Sequence, residues 1–525
     1  MLMSSLSSRF KTTDRAVHAM RHNPKFSQRQ PLRRSLRRLV QSELVATLFA
    51  VGLGMLIVAA PAVAVSDNSQ IRLPELGDSS SGLVSHGREK ELGQMWLRMF
   101  RSQVRTSNDA LLQQYVEDTL KGLAQHAPLE DKTLDVVVVK NDTMNAFAVP
   151  GGVVGVHTGL FLFAENEDQF ASVLAHELAH LSQRHYARTL EAQRNSTLPT
   201  LAGMLGALVL AATAGGDAGI AAMTATQAAA LDSQLRFSRQ NEQEADRVGI
   251  DTLAKAGKDP EAAGEMFEQM LKATRYYRRP PEFLLTHPVT EKRIADAKLR
   301  ASRMPDVHNS DNREYHLMRA RIRVAAESTP QQAVKRFQAE LRGINDNEDA
   351  SRYGLALAQV AAGKPDEALE TLQPLLEREP DKAAFVLARA DVDLAREDYT
   401  SATRRLDKAL SRNPGDHALT MGLANAHFKA GNYLAAERIL ERHSRVRRKD
   451  PAVWYLLAET HGLAGDIVGV HEARAEYYIL NGVFDKAAQH LRHGVRLAQN
   501  DYQMHAILQQ RLKDVLKMQQ DIKEL

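Results

Sequence analysis

Residues 173–180 read Val-Leu-Ala-His-Glu-Leu-Ala-His, inside an apolar stretch with helical patterning. His176 and His180 are four residues apart, so on a helix both imidazoles lie on one face and can reach a single metal ion. Glu177, one residue on, faces a water at the metal rather than the metal itself. A bound zinc ion acidifies such a water, and a carboxylate can take its proton and hand it to a leaving amine. The spacing alone is only moderately specific, because two histidines on one helix face also occur without a metal. A third ligand decides the matter.

The next histidine, His185, is five residues after His180. On a helix that is about 140° off the ligand face, which argues against it as a ligand. The better candidate lies further on, in Ser238-Arg239-Gln240-Asn241-Glu242-Gln243-Glu244-Ala245-Asp246. Glu242 completes a site of two histidines and one glutamate, leaving a fourth position open. Asp246, one helical turn on, can hold a ligand imidazole in one tautomer. Glu244 shares neither face and reads as a surface charge. The chain contains no cysteine, so any metal site must use His, Asp or Glu. Disulfides, iron–sulfur clusters, thiol catalysis and a lipid anchor on an N-terminal Cys are excluded on the same ground.

Outward from the motif, residues 83–305 read as an α+β block. Residues 88–103 and 108–125 have helical character, and Leu134-Asp135-Val136-Val137-Val138-Val139 is a strand by its β-branched run. Residues 146–157 predict a hairpin turning at Pro150-Gly151-Gly152. From residue 306 to 525 there is no strand signal. Gly363, Gly431 and Gly465 share a 34-residue register whose missing member falls at Glu397. Pro380, Pro414 and Pro451 close the repeats, and Gly482 marks a further turn out of register. A helix–turn–helix period of this length resembles the tetratricopeptide repeat, whose stacked units present a concave, protein-binding surface. The expected fold is therefore an α+β zinc-metallopeptidase domain, helices with a small sheet, followed by an all-α tetratricopeptide-repeat solenoid.

The N-terminal segment explains the charge. The whole chain carries 68 basic against 64 acidic residues, a net +4. Ten of those basic residues and only Asp14 and Glu43 of the acidic ones precede Ala64. Residues 44–65 are uncharged and apolar and end in Pro61-Ala62-Val63-Ala64. A basic start, an apolar core and a small-residue end make residues 1–64 a signal peptide with a long basic n-region, cleaved after Ala64. The rival is an uncleaved anchor. Residues 65–82 form a polar tether. Beyond the leader 58 basic residues face 62 acidic ones, so the basic excess does not indicate nucleic-acid binding.

His176-Glu177-x-x-His180, then Glu242-x-x-Ala245-Asp246, with Asn145-Ala146-Phe147-Ala148-x-Pro150-Gly151-Gly152 upstream, resembles one gluzincin family. That family includes the type I CAAX-prenyl protease and the heat-shock membrane protease HtpX. The order of leader, catalytic block and repeats is similar to its exported, repeat-bearing branch in the Gram-negative periplasm. The resemblance implies that His176, His180 and Glu242 bind one zinc ion, with Glu177 as general base and Asp246 as the catalytic residue that supports a ligand imidazole. It implies that Val153, Val154, Gly155 and Val156 form an edge strand to which an extended substrate adds. It also implies that His287, in Thr286-His287-Pro288, can sit over the zinc as a regulatory fourth ligand. Members of the branch can carry a disulfide, which this chain lacks. In the integral members the region matching residues 198–216 spans the membrane. Here it is rich in Gly and Ala and reads as a lid touching a membrane surface or an unfolded client.

The function implied is a periplasmic zinc endopeptidase for quality control of outer-membrane β-barrel assembly. It would cut misassembled or stalled outer-membrane proteins, with the repeats engaging those clients or the β-barrel assembly machinery. The alternative is an assembly chaperone or scaffold whose protease is mostly latent.

Overall fold

The computed structural model of the chain describes residues 85–192, 239–276, 281–305, 307, 312–343, 345 and 347–523. The leader, the tether and residues 198–216 lie outside the described residues. Among the described residues, no helix is long and apolar enough to cross a membrane.

Two capped helices open the fold. The Ser85 side chain accepts from the Arg88 amide and starts α1 (His86–Gln103). Asp109 accepts from the Leu111 and Leu112 amides and starts α2 (Ala110–His126). Three short strands follow: β1 (Asp135–Val139), β2 (Ala146–Val149) and β3 (Val153–His157). Their order is β1-β3-β2, with β1 parallel and β2 antiparallel to β3. Alternation sends Val137, Val139, Val149 and Val153 to one face, where Leu92, Trp96, Leu97 and Phe100 of α1 cover them. Val136, Val138, Val154 and Val156 face the larger core.

The turn between β2 and β3 needs its two glycines. Gly151 and Gly152 sit at φ 86° and 84°, and a Cβ on Gly151 would come 2.4 Å from the Glu89 carbonyl oxygen.

This topology corrects the expectation that Val153, Val154, Gly155 and Val156 form an edge strand. β3 is the central strand, bonded on both sides and buried at every residue. A continuous apolar run is what a strand flanked on both sides requires, so the run itself argued for the interior. The edge strand beside the motif helix is β2.

α3 (Thr158–Phe163) leads into α4 (Glu167–Ser182), which carries the motif. The Asn166 side chain caps α4 by accepting from the Gln169 amide, and Glu167 and Asp168 lie in its first turn. Every residue from Asp168 to His180 is buried, so α4 runs through the middle of the block. α5 (His185–Ala192) follows after a tight break in which Arg184 adopts φ 49°. α6 (Arg239–Lys255) packs along α4. Gly249 allows this, since a Cβ there would already meet the His176 backbone at 3.1 Å. α7 (Glu261–Tyr276), the short α8 (Glu282–Thr286) and α9 (Glu291–Ala301) complete the block.

The repeats begin with α10 (Arg313–Ala326), whose Tyr315 enters the same core as α4. The Tyr315 hydroxyl donates to the Phe161 and Ala164 carbonyls, and its ring stacks on Phe161. Helices of 13 or 14 residues then follow to Leu497: α11 (Pro330–Arg342), α12 (Glu348–Ala361), α13 (Pro365–Arg378), α14 (Ala383–Ala395), α15 (Tyr399–Arg412), α16 (His417–Lys429), α17 (Tyr433–Val446), α18 (Pro451–Ala464), α19 (Ile467–Leu480) and α20 (Phe484–Leu497). The longer α21 (Tyr502–Lys523) closes the array.

The glycine register is a register of left-handed turns. Gly363, Gly431 and Gly465 have φ 74°, 75° and 91°, and Glu397 adopts φ 60° at the missing position. Gly482 is half a repeat out of step because it meets two demands. Its φ is 66°, and a Cβ would come 2.4 Å from the Arg98 carbonyl oxygen of α1.

Candidate metal centre

α4 and α6 bring His176, His180 and Glu242 together, and α8 adds His287 at its C-terminal end. All four are buried, and their ligand atoms lie within 4.8 Å of one another. His176 Nε2 is 3.0 Å from His180 Nε2 and 3.5 Å from His287 Nδ1. Glu242 Oε1 is 3.4 Å from His180 Nε2 and 3.1 Å from His287 Nδ1. Glu177 faces the same space, and its Oε1, 3.5 Å from His287 Nε2, accepts no hydrogen bond.

Charge around the cluster follows from burial. The His180 imidazole is held well below its usual range by burial, then by neighbouring His176 and His287, so it is neutral and able to ligate. Burial pushes the Glu177 carboxyl up, and the Glu242 charge adds to it. Burial opposes ionisation of Glu242, but His287, His176 and Arg293 outweigh it and hold Glu242 below its usual range. His287 is also pulled down by burial, yet the Glu242 and Glu177 carboxylates raise it above its usual value.

The donor set fits a divalent cation of the zinc type. Three imidazoles and a carboxylate converge, and His176 and His180 each have a group behind them. His176 Nδ1 lies 3.1 Å from Asp246 Oδ1, and His180 Nδ1 lies 2.8 Å from His185 Nδ1.

Two residues of this surround escaped the sequence reading. Arg293 of α9 grips Asp246 with two 2.7 Å hydrogen bonds, places Nη1 2.9 Å from Glu242 Oε2 and donates to the Pro288 carbonyl. It therefore ties α6 to the loop that carries His287. His185 begins α5 after the break at Arg184, lies outside the cluster and touches the rear nitrogen of His180. Its own Nε2 is 3.2 Å from Glu244, which also accepts from Arg188. Glu244 is therefore not the free surface charge that its position on the helix indicated.

The edge strand β2 completes the surroundings. The Ala148 amide hydrogen-bonds Glu177. The Phe283 amide donates to the Met144 carbonyl just before β2, and the Thr143 hydroxyl bonds Glu282. α8 is thus docked at the start of the edge strand while His287 reaches the metal cluster.

This arrangement is that of a gluzincin-type metallopeptidase with its repeats attached. The sequence profile of peptidase family M48 matches residues 110–301, and profiles of the tetratricopeptide repeat match residues 353–402 and 393–460. The chain is 38% identical over 373 residues to the β-barrel assembly-enhancing protease of Escherichia coli (strain K12), covering 71% of this chain and 75% of that one. It is 34% identical over 342 residues to the protein of the same name from Yersinia pestis, covering 65% and 70%. It is also 32% identical over 180 residues to the mitochondrial metalloendopeptidase OMA1 of Schizosaccharomyces pombe, covering 34% and 50%. The chain belongs to peptidase family M48, as a metallopeptidase with a tetratricopeptide-repeat domain.

Proposed function

We propose that this chain is a periplasmic zinc endopeptidase that removes misassembled or stalled outer-membrane β-barrel proteins. The observation that carries the reading is the buried cluster of His176, His180 and Glu242 beside a Glu177 carboxylate whose Oε1 lacks a hydrogen bond, in a chain similar to proteases named for β-barrel assembly. His176, His180 and Glu242 would hold the zinc ion, which would supply Lewis-acid polarisation of the scissile carbonyl and a more acidic water. Glu177 takes the proton of the attacking water and delivers it to the leaving amine; its raised pKa suits that exchange. Asp246, clamped by Arg293, lies 3.1 Å behind Nδ1 of His176 and so favours presenting Nε2 to the metal.

An extended client adds to the outer edge of β2, alongside Glu177. The repeats take hold of the client or of the assembly machinery, and residues 198–216 contact a membrane surface or the unfolded client. The leader exports the protein through the inner membrane and is then cleaved.

The second reading, an assembly scaffold with a mostly latent protease, is favoured by one contact. His287 sits on the ligand cluster, and His287 and Glu177 are each no more than 3% exposed. His287 as fourth ligand closes the site until α8 leaves the start of β2. Outer-membrane assembly in a strain carrying only Glu177→Gln separates the readings. The protease reading expects stalled barrels to accumulate, whereas normal assembly supports the scaffold.

A further inference from the structure

Outside the catalytic block, α17, α18 and α19 bring Glu437, His461 and Asp466 to one point, with ligand atoms within 4.8 Å of one another. His461 Nδ1 is 2.7 Å from Glu437 Oε1 and 3.3 Å from Asp466 Oδ2. Ligands at bond lengths of roughly 2.0–2.2 Å around one tetrahedral zinc sit about 3–3.5 Å apart, so these separations need little adjustment.

A plain hydrogen bond does not account for the group. A neutral imidazole has one Nδ1–H, and two carboxylates share it. Glu472 of α19 adds a third nearby carboxylate, raised by burial and then by the charges of Glu476, with Asp466 and Glu441 contributing. Among the described residues, His461 is the only basic ion-pair partner of Glu437 and Asp466, and it is also the basic group that acts on Glu472.

The backbone keeps the space open. A Cβ at Gly469 would stand 2.2 Å from Asp466 Oδ2 and 2.8 Å from His461 Nδ1. His461 is buried, Glu437 is partly buried and Asp466 is half open, which gives an ion a way in from solvent.

We propose that Glu437, His461 and Asp466 form a second metal site, taking a divalent first-row ion of the zinc type and stapling three consecutive repeat helices. One imidazole with two carboxylates suits zinc better than calcium or magnesium, which avoid imidazole. The staple stiffens α19, the repeat helix that meets α1 of the peptidase block.

The test uses the full exported chain without an affinity tag, carrying His176→Ala and His180→Ala to remove the catalytic ligands. Equilibrium dialysis against zinc, with elemental analysis, should find roughly one ion per chain. Adding Asp466→Asn keeps the side-chain oxygen that caps α19 but removes the charge, and should weaken binding at least about tenfold. Adding Gly469→Ala favours the helix yet fills the ligand space, and should do the same while melting shows the repeats still folded. No zinc in the starting double variant, or unchanged affinity in either added variant, overturns the site.

Discussion

The peptidase block and the repeats solve burial in opposite ways. In the block, charge is taken into the core and answered there: Glu242 and Asp246 meet His287 and Arg293 at 2.7–3.1 Å, all buried. In the repeats, small apolar residues such as Ala388, Ala390, Ala402 and Ala436 fill much of the centre with Tyr353 and Phe385, and buried charge is sparse, as at Asp393 between Arg389 and Arg405. A core of alanines tolerates a change at one turn. A buried charge network does not tolerate the loss of one member, because the remaining charges are stranded.

The largest effect should come from chemistry rather than stability. Glu177→Gln removes the base yet keeps the shape, and cleavage of an unfolded protein substrate should drop by at least about 10³-fold. Bound metal and the melting curve should stay as in the parent; a variant that still cleaves at the parent rate contradicts the role given to Glu177.

Next in size is Arg293→Met. It strands Asp246 and Glu242 in the core, and chemical denaturation should show a loss of about 3–5 kcal/mol with weakened metal retention. An exposed pair gives the contrast. Lys364→Met removes only a contact to Glu367 at an exposed turn and should change stability by less than about 1 kcal/mol. Equal costs for the two would erase the distinction between the regions.

Acid should act in both regions through buried neutral histidines. Burial lowers His157 beside the sheet to about 4, and burial with Arg447 and His443 lowers His417 of α16 to about 3. The folded values lie below the ordinary one of 6.5, so the unfolded chain binds more protons between them. Each histidine should withdraw about 2 kcal/mol as pH falls from 6.5 to 5, measured by urea unfolding. His417 stands near the seam where Arg447 grips Glu117 and Lys449 grips Asp135, so His417→Phe should blunt that acid sensitivity.

The smallest change should be a gain. Glu397 carries a side chain at φ 60°, in a register otherwise held by glycine. Glu397→Gly should stabilise the repeats by roughly 0.5–1 kcal/mol.

What could be read from the sequence divides along the same line. The repeat turns were legible because Gly363, Gly431 and Gly465 impose a local backbone demand at fixed intervals. The cluster of His176, His180 and Glu242 was legible in part, because helical spacing puts His176 with His180 and Glu242 with Asp246 on one face each. Arg293 was not, since Glu291–Ala301 reads as an ordinary charged helix and only the packing of α9 buries its guanidinium on Asp246. His185 was correctly placed off the ligand face, but a helical angle does not reveal that the chain breaks at Arg184 and returns the ring to His180. The position of β3 was misread because the resemblance was followed over the continuous apolar run Val153–His157, whose burial at every residue marks a central strand.

The central claim is that His176, His180 and Glu242 hold a catalytic metal. Elemental analysis of the purified exported chain, paired with Glu242→Gln and Asp466→Asn, tests it most directly. The account predicts that Glu242→Gln loses one zinc ion together with all cleavage of an unfolded substrate, while Asp466→Asn loses a different ion and still cleaves. Full cleavage by metal-free protein, or by Glu242→Gln, would contradict it.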